Sequence, residues 1–251
     1  MDTEINNKSR LDIEIVLRGI LPTRELAKKA IIDSKISVDG IFQTKPSFKV
    51  STDSDIILID DSLTKYVSRG AYKLEAALDA FSIDVTSMTA VDFGASTGGF
   101  TDVLLQRGAL KVYAIENGSG QLHKKLLDDT RVVSIENTNA RYIENGFIPM
   151  CDIAVMDVSF VSQTKLYQSV TNVLKMNGIF ISLVKPQFEA GKKFLNKNGI
   201  VKSESVRLQV IDFIKNEAAL FGFELIRIIE SPILGGDGNK EYLAYFKYKK
   251  G

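Results

Sequence analysis

An apolar run enters a glycine-rich turn at Ala90-Val91-Asp92-Phe93-Gly94-Ala95-Ser96-Thr97-Gly98-Gly99-Phe100, ahead of a helical pattern. No other stretch constrains the fold as tightly. It reads as a buried strand whose carboxyl end opens into a crevice the size of a nucleotide. Glycines there allow close backbone approach and positive φ angles. The turn departs from the dinucleotide fingerprint G-x-G-x-x-G, because Ser96 stands at the middle glycine and Asp92 precedes the first. A pyrophosphate gains nothing from that carboxylate, whereas a cationic ligand does. S-adenosylmethionine carries an ammonium and a sulfonium and is the expected ligand. It would be held along Asp92, Gly94, Ala95, Ser96, Thr97, Gly98, Gly99 and Phe100.

A second strand, 111–116, ends on Glu116, placed to accept hydrogen bonds from two ribose hydroxyls. The alternation continues with strands expected near 88–93, 131–135, 152–156, 178–184, 222–229 and 241–247. Helices are expected at 71–82, 99–107, 162–174 and 204–220. This is the pattern of an α/β, Rossmann-like, doubly wound sheet with ligands at its carboxyl edge. The last two strands are expected to form a hairpin, making the final one antiparallel.

Composition removes several chemistries. A single cysteine, Cys151, excludes internal disulfides and cysteine-based zinc sites. A single histidine, His123, excludes histidine clusters, and its surroundings mark it as a surface residue. No metal is expected. The first residues lack the charged and apolar regions of a signal peptide. No apolar run reaches the roughly 18–20 residues of a membrane span. The expectation is a soluble, cytoplasmic protein without a membrane partner. A net charge of +1 gives no global sign of nucleic acid.

Residues 1–61 read as a separate α+β unit. Helices are expected at 10–19 and 24–34, the second capped by Thr23, then a strand at 36–38, a tight turn at Asp39-Gly40 and a closing strand at 56–59. The Ser-Arg-Leu-Asp entry, the Thr-Arg-x-x-Ala helix and Ile-x-Val-Asp-Gly resemble the S-four RNA-binding domain. The resemblance implies RNA contact through Arg10, Arg24, Lys28 and Lys29. Residues 1–62 hold 9 Lys and Arg against 11 Asp and Glu. RNA binding therefore requires the acids to face away from the basic side chains. Residues 62–70 read as a connector carrying Arg69, a further RNA contact, and 71–251 as the larger domain.

Further polar residues fall at the same carboxyl edge. Strand 152–156 delivers Asp157, strand 178–184 delivers Lys185, the helix after Gly70 carries Lys73, and the final hairpin brings in Glu241. Taken singly, each is an ordinary solvated or capping residue. Together with Tyr66-Val-Ser-Arg-Gly, the Asp92–Phe100 turn, Leu105-Gln-Arg-Gly-Ala, Thr138-Asn-Ala-Arg, Asp157-Val-Ser-Phe and Val184-Lys-Pro-Gln-Phe-Glu, they resemble the TlyA, or hemolysin A, family of FtsJ-like RNA methyltransferases. The resemblance runs nearly the full chain. It implies S-adenosylmethionine-dependent 2′-O-methylation of cytidine in ribosomal RNA, free or in ribosomal subunits, by a tetrad of Lys73, Asp157, Lys185 and Glu241. It also places Asn139 at the cofactor, and it expects aspartate where this chain has Glu116.

Ribose chemistry suits such a tetrad. A 2′-hydroxyl must lose its proton as it attacks, and a neutral lysine can take it. Lys185 is assigned as that base, with Lys73 steadying the developing oxyanion and the two acids fixing both amines. The alternatives are a non-catalytic ribosome-assembly factor, for which paired lysines serve no purpose, and a membrane-active hemolysin, for which no amphipathic basic helix is evident.

Overall fold

The computed structural model describes residues 8–21, 23–58, 65–235 and 238–249. The chain divides into two compact units, Met1–Lys65 and Tyr66–Gly251.

The smaller unit runs β1 (Ser9–Arg10), α1 (Leu11–Leu17), α2 (Arg24–Ile32), β2 (Ile36–Val38), β3 (Ile41–Gln43), β4 (Lys49–Val50) and β5 (Ile56–Leu58). Its main sheet has the order β3-β2-β5, and β1 pairs with β4. Thr23 caps α2 by accepting from the Leu26 amide at 3.3 Å. Ala27, Ala30 and Ile31 on one face of α2 form a core with Leu11, Ile15 and Ile36. Asp39 and Gly40, at φ of +51° and +77°, make the expected tight β2–β3 turn.

The larger unit is built on α3 (Ala71–Phe81), β6 (Thr89–Phe93), α4 (Gly99–Gln106), β7 (Lys111–Ile115), α5 (Lys124–Leu127), β8 (Val132–Ile135), β9 (Cys151–Met156), α6 (Tyr167–Thr171), β10 (Leu174–Val184), α7 (Pro186–Glu189), α8 (Glu204–Leu220), β11 (Phe223–Glu230) and β12 (Tyr242–Tyr248). The seven strands take the order β11-β12-β10-β9-β6-β7-β8. β12 is antiparallel to both its neighbours, while β6 to β10 pair in parallel. Side chains alternate between two cores. In β9, Ile153 and Val155 join one with α3 and α4, and Ala154 and Met156 join the other with α6 and α8. That double burial is why the central strands read as unbroken apolar runs.

One expectation needs correction. The helix predicted over 162–174 is a 3₁₀ turn, Gln163–Leu166, followed by the short α6. Leu174 is already a strand residue opposite Cys151. Val170, Thr171 and Val173 are β-branched and Asn172 is a weak helix former, so propensity does not carry the helix further. A bulge between Leu174 and Ile179, with Asn177 at φ +57°, then re-aims β10 into the sheet. The hairpin expected at the end is present with β12 antiparallel, and β12 lies between β10 and β11. Of the stretch read as a connector, residues 62–64 lie outside the described residues. Tyr66 is buried in the core of the larger unit, and the Val67 amide donates to Asp102 Oδ2 at 2.8 Å.

Candidate active site

Asp92 is the last but one residue of β6 and is fully buried. Its Oδ2 accepts from Thr101 Oγ1 of α4 at 2.7 Å, and its Oδ1 has no hydrogen-bond partner among the described residues. Burial pushes the carboxyl up to about 7, with the Thr101 hydrogen bond opposing and Asp157 and Glu116 adding to the rise. An orphaned buried oxygen beside a cavity is the mark of a missing cationic or hydrogen-bonding ligand.

The turn that follows is shaped for close approach. Gly94 has φ +82°, and a Cβ there would lie 2.8 Å from the Asp157 carbonyl oxygen. The chain between β6 and α4 therefore lies directly against the end of β9. Asp92, Gly94, Ala95, Ser96, Thr97, Gly99 and Phe100 line a cavity of about 190 Å³, joined by Ser68, Ser159 and Lys185. A second cavity, about 570 Å³, shares Gly94, Ser96, Asp157 and Ser159 with it and extends past Glu116 to Asn139 and Arg141. Glu116 is held by backbone amides, Ser96 at 2.9 Å and Gly118 at 2.8 Å. Asn139 Oδ1 accepts from the Arg141 amide at 3.1 Å. Gly98 does not line either cavity. At φ +94° it faces α5, and a Cβ would overlap Leu126 and Leu122.

The four tetrad residues form two amine–carboxylate pairs. Lys185 Nζ lies 2.5 Å from Asp157 Oδ1 and donates to Ser159 Oγ at 2.8 Å. Lys73 Nζ donates to Glu241 Oε2 at 2.5 Å, and both are buried. Strand register brings the pairs to one edge. Tyr242 opposes Val184 in the β10–β12 ladder, so Glu241 and Lys185 leave it side by side. Ser182 opposes Met156, so Asp157 emerges on the other flank of the same strand end. Gln187 Nε2 reaches toward Glu241 Oε1 at 3.5 Å. Lys185 and Asp157 line the cavity, whereas Lys73 and Glu241 are buried and not part of its lining.

Ser68, Ser159, Gln187 and Phe160 belong to this region and were missed by sequence reasoning. Phe160 is 90% exposed, lines the larger cavity and holds φ +62°. A bulky residue in the left-handed region is strained, and strain of this kind gathers at functional sites. Its ring lies 5.2 Å from that of Phe188, centroid to centroid. Asp-Val-Ser-Phe as a motif gave a signal, but nothing local announces that its aromatic is turned outward.

In the smaller unit, Asp12 is fully buried and binds two of the predicted RNA contacts. Arg10 Nε and Arg24 Nη2 each lie 2.8 Å from its carboxylate oxygens. The Arg10 hydrogen bond, with Arg24 in support, holds the Asp12 carboxyl down at about 2. A single buried acid thus anchors two half-exposed guanidiniums, while Glu25 and Asp33, at either end of α2, remain exposed. Lys28 and Lys29 follow on α2, with Lys29 exposed and Lys28 half-buried. Arg69 is half-buried near the start of the larger unit.

Other chemistries find no support. Burial pushes the Cys151 thiol up to about 12, so it is no nucleophile. His123 is exposed and caps α5, its Nδ1 accepting from the Lys125 amide. Among the described residues, no group of three or more His, Cys, Asp or Glu is placed to hold a metal, and no helix is long and apolar enough to cross a membrane.

Comparison with known proteins agrees with this geometry. The FtsJ-like methyltransferase family profile matches residues 66–248. A 16S/23S rRNA (cytidine-2′-O)-methyltransferase, TlyA, of Mycobacterium tuberculosis is 37% identical over 241 residues, covering 96% of this chain and 90% of that one. Hemolysin A of Brachyspira hyodysenteriae is 39% identical, covering 94% of this chain and 99% of its own. A solved structure described as a candidate hemolysin from Streptococcus thermophilus superposes with a TM-score of 0.76 at 38% identity, covering 98% of this chain and 90% of that one.

Proposed function

We propose, from the premise that this chain belongs to the FtsJ-like methyltransferase family, that it methylates the 2′-oxygen of a cytidine ribose in ribosomal RNA, in the cytoplasm, with S-adenosylmethionine as methyl donor. One observation carries the reading: the ends of β9 and β10 pair Asp157 with Lys185 at a carboxylate-lined cavity, and Glu241, beside Lys185 in the β10–β12 register, pairs with Lys73 of α3.

The cavity fits the donor. The orphaned Asp92 Oδ1, with Asp157 and Glu116 nearby, calls for a positive ligand, and Gly94 and Ser96 line both cavities without a bulky side chain. Asp92 and the 94–100 turn would hold the aminoacyl end, Glu116 the ribose, and Asn139 the adenine end of the larger cavity. S-adenosylmethionine, when bound, supplies a methyl group on a sulfonium leaving group. Lys185 takes the proton from the 2′-hydroxyl as that oxygen attacks. Asp157 and Ser159 fix where the amine points. Lys73, paired with Glu241, stabilises the charge that develops on the oxygen. Alignment of nucleophile, methyl and leaving group is what the paired side chains contribute to the rate. The exposed Phe160 ring offers a face on which an unstacked base can rest. The smaller unit holds the RNA through Arg10, Arg24, Lys28 and Lys29, with Arg69 contributing from the larger one.

The test is incubation of rRNA or subunits with the protein and donor, followed by nuclease digestion and mapping. The expected product is a 2′-O-methylated cytidine, and Lys185→Ala abolishes it with donor and RNA affinities near wild type. A methyl group on a base overturns the reading. So does full turnover by Lys185→Arg, whose guanidinium cannot release a proton near neutral pH.

A further inference from the structure

Between α7 and α8 the chain carries Lys192, Lys193, Lys197 and Lys202 and no carboxylate from Ala190 to Ser203. Over the whole chain the charges nearly cancel, with 32 Lys and Arg against 31 Asp and Glu. All four lysines are exposed, and none forms an ion pair with any described residue. Lys193 Nζ lies 4.9 Å from the centre of the Phe194 ring, which is itself exposed. A run of lysines is ordinarily a solvated, mobile face. This one is built.

Asn196 Oδ1 accepts from the amides of Asn198 and Ile200, both at 2.9 Å. Asn239, almost fully buried, accepts from the Val201 amide at 3.0 Å and donates to the Gly199 carbonyl at 3.1 Å. The Arg207 guanidinium binds the carbonyls of Val201 and Lys202 at 3.0 and 2.8 Å. At the other end, Glu189 accepts from Ser162 Oγ at 2.6 Å and the Gln163 amide at 2.9 Å. The loop therefore leaves the sheet's carboxyl edge just after Lys185, and Asn239, two residues before Glu241, pins its far end. Its position is set by the segments that set the tetrad.

We infer that the Gly191–Lys202 loop is a second RNA-gripping surface, distinct from the smaller unit, that takes backbone phosphates beside the target nucleotide. The inference rests on the methyltransferase reading above. Lysines spread along a fixed loop suit a strung-out polyanion rather than one small anion, which convergent or bidentate donors hold better. The Lys193–Phe194 pair adds a stacking face of the kind single-stranded RNA uses. Phosphate contacts fix register without reading sequence, so the loop positions the ribose rather than choosing the base.

The experiment compares the full chain with Lys192→Gln/Lys193→Gln/Lys197→Gln and with a control, Lys111→Gln/Lys175→Gln/Lys249→Gln, whose lysines lie at the opposite edge of the sheet. Binding to rRNA is measured over a salt series, and methylation at saturating donor. If the loop grips phosphates, its variant binds tenfold or more weakly at about 0.1 M salt, and its log–log salt slope is shallower by about 2–3. KM for RNA rises with kcat within about twofold of wild type, because binding is lost without touching the chemistry. Donor affinity and the control variant stay at wild-type values. Wild-type slope and affinity in the loop variant overturn the inference, as does an equal loss in the control. A wild-type chain that neither binds nor methylates rRNA removes the methyltransferase reading itself, and the inference with it.

Discussion

Asp92→Asn separates what stabilises this fold from what the site needs. In the folded chain the Asp92 carboxyl titrates at about 7 rather than at its ordinary 3.8, chiefly because burial penalises the anion. An acid raised in this way binds its proton more tightly folded than unfolded. Its contribution to stability is therefore fullest below about pH 4, is lost as pH rises through the window to about 7, and is flat above it. The shift is about 3 units, so ionised Asp92 costs on the order of 4 kcal/mol at pH 8 and about 2 kcal/mol at pH 5. An amide is neutral throughout, keeps an acceptor for Thr101, and leaves one polar atom unpartnered as before. Asp92→Asn should thus stabilise the free protein by a few kcal/mol at pH 8 and distinctly less at pH 5. Urea unfolding of the full chain, followed by circular dichroism at the two pH values, measures it. Donor affinity should move the other way. A cationic ligand needs the anion, so wild-type affinity for S-adenosylmethionine falls as pH drops below about 7, approaching tenfold per unit, while the variant binds weakly and without that slope. Equal stability gains at both pH values, or a wild-type affinity flat between about pH 5 and 8, would refute the account of Asp92 as a buried, ligand-seeking carboxylate.

Two further substitutions probe the site's surroundings. Phe160→Gly relieves a left-handed residue and should leave thermal stability equal to or above wild type, yet lower kcat/KM for rRNA by roughly tenfold to a hundredfold, the worth of a stacked base. Phe160→Tyr should retain activity, and equal activity in the two variants would remove the stacking role. Gly98→Val, by contrast, should lower the melting temperature and disturb α5, because its Cβ meets Leu126 and φ is +94°; an undiminished melting temperature by calorimetry would contradict that packing.

What could be read from sequence divides along the range of the interaction. The turn at Asp92–Phe100, the cap at Thr23 and the Asp39-Gly40 reversal depend on neighbours a few residues away, and each forms where its residues predict. Features that depend on strand register were legible through the family resemblance and not from the residues themselves. Nothing near Glu241 says that β12 inserts beside β10, yet only that insertion sets Tyr242 against Val184 and Glu241 beside Lys185. Asp12 shows the same limit from the other side. Nothing in the sequence says that Arg10 and Arg24 both pair with one buried acid. That carboxylate restricts where the guanidiniums point and offsets one of their two charges. The 162–174 segment departs from the expected helix because α6 ends at Thr171 among β-branched residues and the chain enters β10 at Leu174. The Gly191–Lys202 loop has no periodicity to read at all. Its shape comes from Asn196, Asn239 and Arg207, polar side chains satisfying backbone groups that neither helix nor sheet would satisfy. Reading such a loop means asking where its backbone hydrogen bonds go. Here the answer runs through Asn239 to the strand end that carries Glu241, which ties the lysines to the chemistry.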